Sequence, residues 1–136
     1  MAYKLIDIEG IGKVAAAKLL ETLDIKTVEE LLELGASKKG RADVAAKSGI
    51  DESKILRWVN MADMFRIKGV AEEYSDLLEA SGVDTVKELR NRVPANLLAK
   101  VTEVNAAKNL TNRTPNLTEI ESWVAQAKEM EPMVTY

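Results

Sequence analysis

The chain contains no cysteine and no histidine. Disulfides are excluded, and so are the usual zinc, copper and iron–sulfur ligand sets and the nucleophilic pairs that need a thiolate or an imidazole. Aromatic residues make up only 4% of the 136 residues and are dispersed, too few for a base-stacking platform. No run approaches the roughly 18 to 20 apolar residues of a membrane span, and the start, Met1-Ala2-Tyr3-Lys4, opens no long apolar segment. Positive charge is not in excess either. Nineteen Lys and Arg face 22 Asp and Glu, a net charge of −3, which argues against a broad basic coat and leaves room for a local patch. These absences point to a cytoplasmic protein with no membrane attachment and no implied cofactor. They also point away from an enzyme: only carboxylates, lysines and hydroxyls remain for chemistry, and the carboxylates follow helical spacings that suit a solvated face.

What is present is helical. Gly35, Gly40, Gly49 and Gly82 punctuate segments whose apolar residues recur every three or four positions, with little alternation of period two, so the expected fold is all-α with about eight short helices. The organising stretch is Ile8-Glu9-Gly10-Ile11-Gly12, followed at once by the alanine-rich run Lys13 to Leu23. Gly-apolar-Gly opening a helix reads as a tight hairpin, since glycine turns the chain there without steric cost. A weaker copy follows at Ile67-Lys68-Gly69-Val70-Ala71. Three capping boxes, Thr27/Glu30, Thr85/Glu88 and Thr118/Glu121, predict helix starts. Further helices are expected from about Arg41 to Ser48, after Asp51, from Ala71 to Ala80, and from Pro94 to about Leu110. The helix after Asp51 carries Ile55, Val59, Ala62 and Phe65 on one stripe, and the last helix carries Leu117, Ile120, Val124 and Ala127. Trp58 and Trp123 read as core anchors, Met61, Met64, Met130 and Met133 as gap fillers or as the lining of an adaptable partner groove, and the apolar tail Glu131 to Tyr136 as a segment that docks on the body or on another chain.

An internal repeat underlies this order. Ile8, Gly10, Leu19, Leu20, Glu21, Thr27, Val28, Glu30 and Leu31 reappear as Ile67, Gly69, Leu77, Leu78, Glu79, Thr85, Val86, Glu88 and Leu89, with one residue fewer inside the second hairpin helix. Ile55-x-x-Trp58-Val59-x-x-Ala62 reappears as Ile120-x-x-Trp123-Val124-x-x-Ala127. The expected organisation is two repeated four-helix units, 1–66 and 67–136, within one compact domain.

Gly10-Ile11-Gly12-Lys13-Val14-Ala15-Ala16-Ala17-Lys18-Leu19, with Ile25-Lys26-Thr27-Val28-Glu29-Glu30-Leu31, resembles the helix-hairpin-helix motif of DNA repair and recombination proteins. Over nearly its whole length the chain resembles an uncharacterised bacterial family, a domain of unknown function with two such hairpins and a Trp-containing final helix. The resemblance implies that hairpin amides and the following helix N-terminus hold a nucleic-acid phosphate without reading sequence, an arrangement that exposed N–H groups and the helix dipole both favour. The implied positions are Gly10, Ile11, Gly12 and Lys13, with Lys18 five residues on. In some members hairpin carbonyls also hold a monovalent cation. The second hairpin departs from the pattern: Ala71 stands in place of the second glycine, and Glu72 and Glu73 occupy the first helical turn, where they would repel phosphate. It is expected to be structural.

The one dense basic stretch, Ser37-Lys38-Lys39-Gly40-Arg41, reads as a solvated turn or as a second phosphate-contacting loop. Three functions remain open. A module that grips nucleic-acid backbone through Gly10, Ile11, Gly12 and Lys13, helped by Lys18, Lys38, Lys39 and Arg41, is favoured by the resemblance. A protein-interaction, scaffold or self-association module fits the acidic balance better. Catalysis is disfavoured by the missing histidine and cysteine.

Overall fold

The computed structural model describes residues 3–136, so Met1 and Ala2, part of the start read above, lie outside the described residues. Among the described residues the chain is all-α. The helices are α1 (Lys13–Leu23), α2 (Val28–Gly35), α3 (Lys38–Ser48), α4 (Glu52–Met64), α5 (Ala71–Ala80), α6 (Val86–Leu89), α7 (Pro94–Lys108) and α8 (Leu117–Glu129). A 3₁₀ turn, Leu5–Asp7, precedes α1, and an isolated antiparallel bridge joins Lys4 to Thr27.

Helix ends follow local chemistry. Thr27 accepts from the Glu30 amide at 3.1 Å while the Glu30 carboxylate returns to the Thr27 amide at 3.0 Å, a complete capping box. Those backbone N–H groups, that of Lys26 foremost, hold the Glu30 carboxyl below its usual range. Thr85 caps α6 through the Glu88 amide, but the Glu88 carboxylate faces Arg92 at 3.5 Å. The box expected at Thr118/Glu121 is displaced two residues upstream. Asn116 caps α8, accepting from the Glu119 amide at 2.9 Å, because its short amide side chain reaches the third helical N–H as well as a hydroxyl does. Leu117 consequently sits at the exposed start of α8, off the buried stripe of Ile120, Val124 and Ala127. The third helix also begins earlier than Arg41. Ser37 accepts from the Gly40 amide, so Lys38, Lys39, Gly40 and Arg41 form the first turn of α3 rather than a loop.

By its internal contacts the chain divides into two units, Met1–Asp63 with Met133–Tyr136, and Met64–Pro132. In the first, α3 packs on α1 and α2, and Ile8, Leu19, Ile25, Leu31, Val44, Ile55 and Val59 form a dry interior. The C-terminal tail docks on this unit. Val134 is buried, the Thr135 amide donates to the Ala36 carbonyl at 2.8 Å, and the Tyr136 hydroxyl donates to Asn60 at 3.0 Å. In the second, α7 packs on α5 and α8, and α6 packs on α8. Ile67, Val70, Tyr74, Leu77, Leu78, Val86, Leu97, Val101, Ile120, Trp123 and Val124 form its core. The stripe Ile55, Val59, Ala62 and Phe65 is buried, as are Trp58, Met61 and Met64, so α4 is a core helix.

Candidate functional site

The first hairpin turns at Gly10, whose φ of 97° is a conformation that only glycine adopts without strain. The Ile11 amide closes the turn on the Ile8 carbonyl at 3.1 Å, and the Ile11 side chain is buried, leaving only its backbone for a ligand. Gly12 is different. At φ −90° and ψ −176° it is extended, and a Cβ there would meet nothing within 4 Å. The turn does not require this glycine; what it provides is a bare backbone at the mouth of α1.

The first helical hydrogen bond of α1 runs from the Ala16 amide to the Gly12 carbonyl, so the amides of Lys13, Val14 and Ala15 precede the helical ladder. No side chain caps this start and no acidic residue lies in the first turn; α5 and α7 are likewise without a side-chain cap, but α5 carries Glu72 and Glu73 in its first turn and α7 begins at Pro94, whereas α2, α3 and α8 are capped by side chains. The positive end of the helix dipole is therefore left open.

That end faces a cleft of about 600 Å³, lined by Gly12, Lys13, Val14, Ala15 and Lys18 on one side and Gly49, Ile50, Asp51, Lys54 and Trp58 on the other. Lys13, Lys18 and Lys54 are exposed, and among the described residues no ion pair engages any of them. The single carboxylate in the lining, Asp51, accepts from the Ser53 hydroxyl at 2.6 Å and the Ser53 amide at 2.8 Å, bonds that keep it ionised by lowering its pKa. Three ammonium groups thus oppose one carboxylate around apolar walls. Arg57 lies alongside: a Cβ added to Gly10 would come within 3.0 Å of its guanidinium and 3.3 Å of the Trp58 indole nitrogen.

The structure brings Gly12, Lys13 and Lys18 together in this way, with Gly10 and Ile11 just behind them. It does not bring the basic stretch to the same place. Lys38 lines a separate depression of about 300 Å³ with Arg41 and Tyr136. Lys39 is exposed on the first turn of α3. Arg41 is only 3% exposed, and its guanidinium donates to the carbonyls of Gly35, Ala36 and Thr135 at 2.9, 3.0 and 2.6 Å while lying over the Tyr136 ring. Those bonds tie the tail to the turn between α2 and α3. Lys54 and Arg57, which sequence reasoning missed, lie more than forty positions from the hairpin. Their only signal is that Lys54 adjoins Ile55 and Arg57 adjoins Trp58, two residues of the recurring Ile-x-x-Trp pattern.

The second hairpin also turns on a glycine, Gly69 at φ 96°, with a tryptophan indole against it. Here the backbone is occupied, since Gln126 accepts from the Lys68 amide at 2.9 Å and donates to the Lys68 carbonyl at 3.1 Å. Glu72 and Glu73 stand exposed in the first turn of α5. Trp123 packs against the Tyr74 ring, centroids 5.3 Å apart and planes tilted by 48°, and Arg113 lies over that ring, 6.0 Å from its centroid, bonded through both nitrogens to Glu119 at 2.8 and 2.9 Å. The Tyr74 hydroxyl is buried without a hydrogen-bond partner, and burial raises its pKa.

Among the described residues no helix is long and apolar enough to cross a membrane, and no cluster of carboxylates is arranged to hold a metal ion. No solved structure matches the chain. Residues 9–130 match the family described as Domain of unknown function (DUF4332), and the chain belongs to that family.

Proposed function

We propose that the protein is a non-catalytic, cytoplasmic helix-hairpin-helix module built from two repeated four-helix units, and that it contacts nucleic-acid backbone without sequence preference through the first hairpin. The observation that carries this reading is the cleft at the start of α1, where uncapped amides and three unpaired lysines meet a single carboxylate. Open amides and a helix dipole favour an anion, and lysines from two helices supply the counter-charge. Lys54 takes the place that Arg41 held in the sequence reading. Lys38 and Lys39 lie outside the cleft and contribute at most long-range attraction, which salt screens.

The test is fluorescence anisotropy with labelled random duplex, single-stranded DNA and RNA at about 50 and about 200 mM salt, because backbone binding weakens across that range. Salt-sensitive binding lost in the Lys13→Glu/Lys18→Glu variant, with helicity retained, is the expected result. Absence of binding at the lower salt would overturn the reading.

One observation favours a second reading, a contact with another protein or a second copy of the chain. Ile6 and Leu20, 52% and 46% exposed, flank a shallow apolar groove of about 300 Å³ floored by Ala16 and Ala17 and edged by Lys4 and Lys26. Concentration-dependent association abolished by Leu20→Glu is the outcome that would support it.

A further inference from the structure

The exposed face of α1 reads alike from either end. Val14, Ala17 and Leu20 follow one another at intervals of three, and Lys13 and Glu21 stand four positions to either side of Ala17, so the five share one side of the helix. All five are exposed, Val14 by 73%, and among the described residues no ion pair within the chain engages Lys13 or Glu21. The shallow groove lined by Ala17, Leu20 and Ile6 extends the same face. In the second unit this face is closed. Matching Leu19 with Leu77 sets Ala17 and Leu20 on Ser75 and Leu78, and matching Gly10 with Gly69 sets Ile6 on Phe65; all three counterparts are buried.

An apolar face with this symmetry fits its own copy. When two α1 helices meet antiparallel about a two-fold axis at Ala17, Lys13 of each faces Glu21 of the other, and Val14 of each faces Leu20 of the other, beside the groove. The small side chain at the axis lets the two backbones approach closely. The helix ends agree as well: α1 has no acidic residue in its first turn and no basic residue in its last, so the positive start of one helix lies beside the negative end of the other. Parallel pairing in register would oppose lysine to lysine and glutamate to glutamate.

We propose that the occupant of this face is a second copy of the chain, held by antiparallel α1–α1 packing around Ala17 with reciprocal Lys13–Glu21 pairs. The inference rests on the protein-contact reading and names its partner. A contact centred on one helix of 11 residues falls below the roughly 1,200 Å² of a standard interface, so the dimer is weak and forms as concentration rises.

The experiment is sedimentation equilibrium without nucleic acid, from about 10 μM to about 1 mM, the range in which weak complexes dissociate. The wild-type protein is expected to associate reversibly to a dimer. Lys13→Glu and Glu21→Lys each set like charges together at both pairs and weaken the dimer by roughly tenfold or more, with circular dichroism confirming the fold. Mixing the two variants restores it, because each pair is again glutamate against lysine, and both reversals in one chain restore it too. A monomer at every concentration, a result that needs no variant, overturns the second copy as occupant and leaves the groove to another protein. A dimer that both variants keep, or one that mixing does not restore, overturns the antiparallel pairing; its loss in Leu20→Glu would still uphold the protein-contact reading.

Discussion

Gly10 and Gly69 turn the chain at φ 97° and 96°, and each lies against an indole nitrogen, so the two hairpins have the same central bend. Their surroundings differ in three ways. Neither α1 nor α5 is capped by a side chain, but Gln126 clamps the Lys68 backbone before the second turn and Glu72 and Glu73 stand in the first turn of α5, where α1 has no acidic residue. The first hairpin leaves a cleft beside Trp58, while the Tyr74 ring packs against Trp123. In the register set by the glycines, Leu19/Leu77 and the tryptophans, Lys13, Lys18 and Lys54 correspond to Glu72, Asp76 and Glu119. The comparison teaches that a shared backbone device need not carry a shared function. The side chains within reach of the turn decide whether its amides face a ligand or an internal partner.

The ring difference predicts the largest effect. Truncating a buried tryptophan costs about 3–5 kcal/mol. Trp123→Ala lies toward the upper end, because the Tyr74 ring also loses its aromatic partner, worth about 0.5–1.5 kcal/mol. Trp58→Ala lies toward the lower end, because Ala15 and Ala16 stand where the second unit has Tyr74. Urea unfolding of the two variants measures this directly, and a costlier Trp58→Ala would break the comparison. The charge difference comes next. Giving the first unit the charges of the second, through Lys13→Glu, Lys18→Asp and Lys54→Glu together, should lower backbone affinity by about a hundredfold or more at low salt. The single change Lys54→Gln should reduce the slope of log affinity against log salt by about 0.9 for each phosphate contact removed.

How far the sequence foretold these differences depended on whether the signal was local. The glycine turns, the Thr27 box, the Gly49 stop and the buried stripe of α4 follow from spacing alone, and the structure has each of them. Lys38-Lys39-Gly40 reads as a turn by composition, yet the Ser37 hydroxyl accepts from the Gly40 amide and caps a helix that begins at Lys38. Arg41 looked like a surface cation in its basic neighbours' company. Its burial depends on the Thr135 carbonyl, 94 positions away, which no local pattern reveals. Lys54 entered the cleft for the same kind of reason, since only the packed fold brings α4 to the start of α1.

The glycine positions give a smaller and sharper contrast. Ala71 sits at φ 36°, a left-handed value that strains a residue with a Cβ, whereas its counterpart Gly12 is extended. Ala71→Gly should therefore stabilise the protein by about 1 kcal/mol. Gly12→Ala should leave stability unchanged or raise it by about 0.4–1 kcal/mol, through the reduced freedom of the unfolded chain. Binding separates the roles, since the new methyl at Gly12 stands at the cleft mouth and should weaken backbone affinity while the fold holds. A destabilised Gly12→Ala would instead make that glycine architectural, like Gly10.

The smallest predicted effect distinguishes the units by pH. In the second, the Glu119 carboxylate is lowered from 4.5 to about 2, first by its bonds to Arg113 and then by the Asn116 amide. In the first, the corresponding position is Lys54, which is not a carboxylate. Because the folded value lies below the unfolded one, the stabilisation is fully present above about pH 4.5 and is lost as pH falls through about 2. Both side chains are partly exposed to solvent, Arg113 by 57% and Glu119 by 30%, so the net contribution is held to under about 1 kcal/mol. Glu30 and Asp51 are also lowered and add their own acid dependence in the first unit, so the total acid curve does not isolate Glu119. The difference between the wild-type protein and Glu119→Gln does isolate it. Urea midpoints measured at several pH values should converge as acidity increases, because protonated Glu119 no longer offers Arg113 a charge that glutamine lacks. A constant offset across that range would assign the Arg113–Glu119 contact to packing and capping rather than to charge.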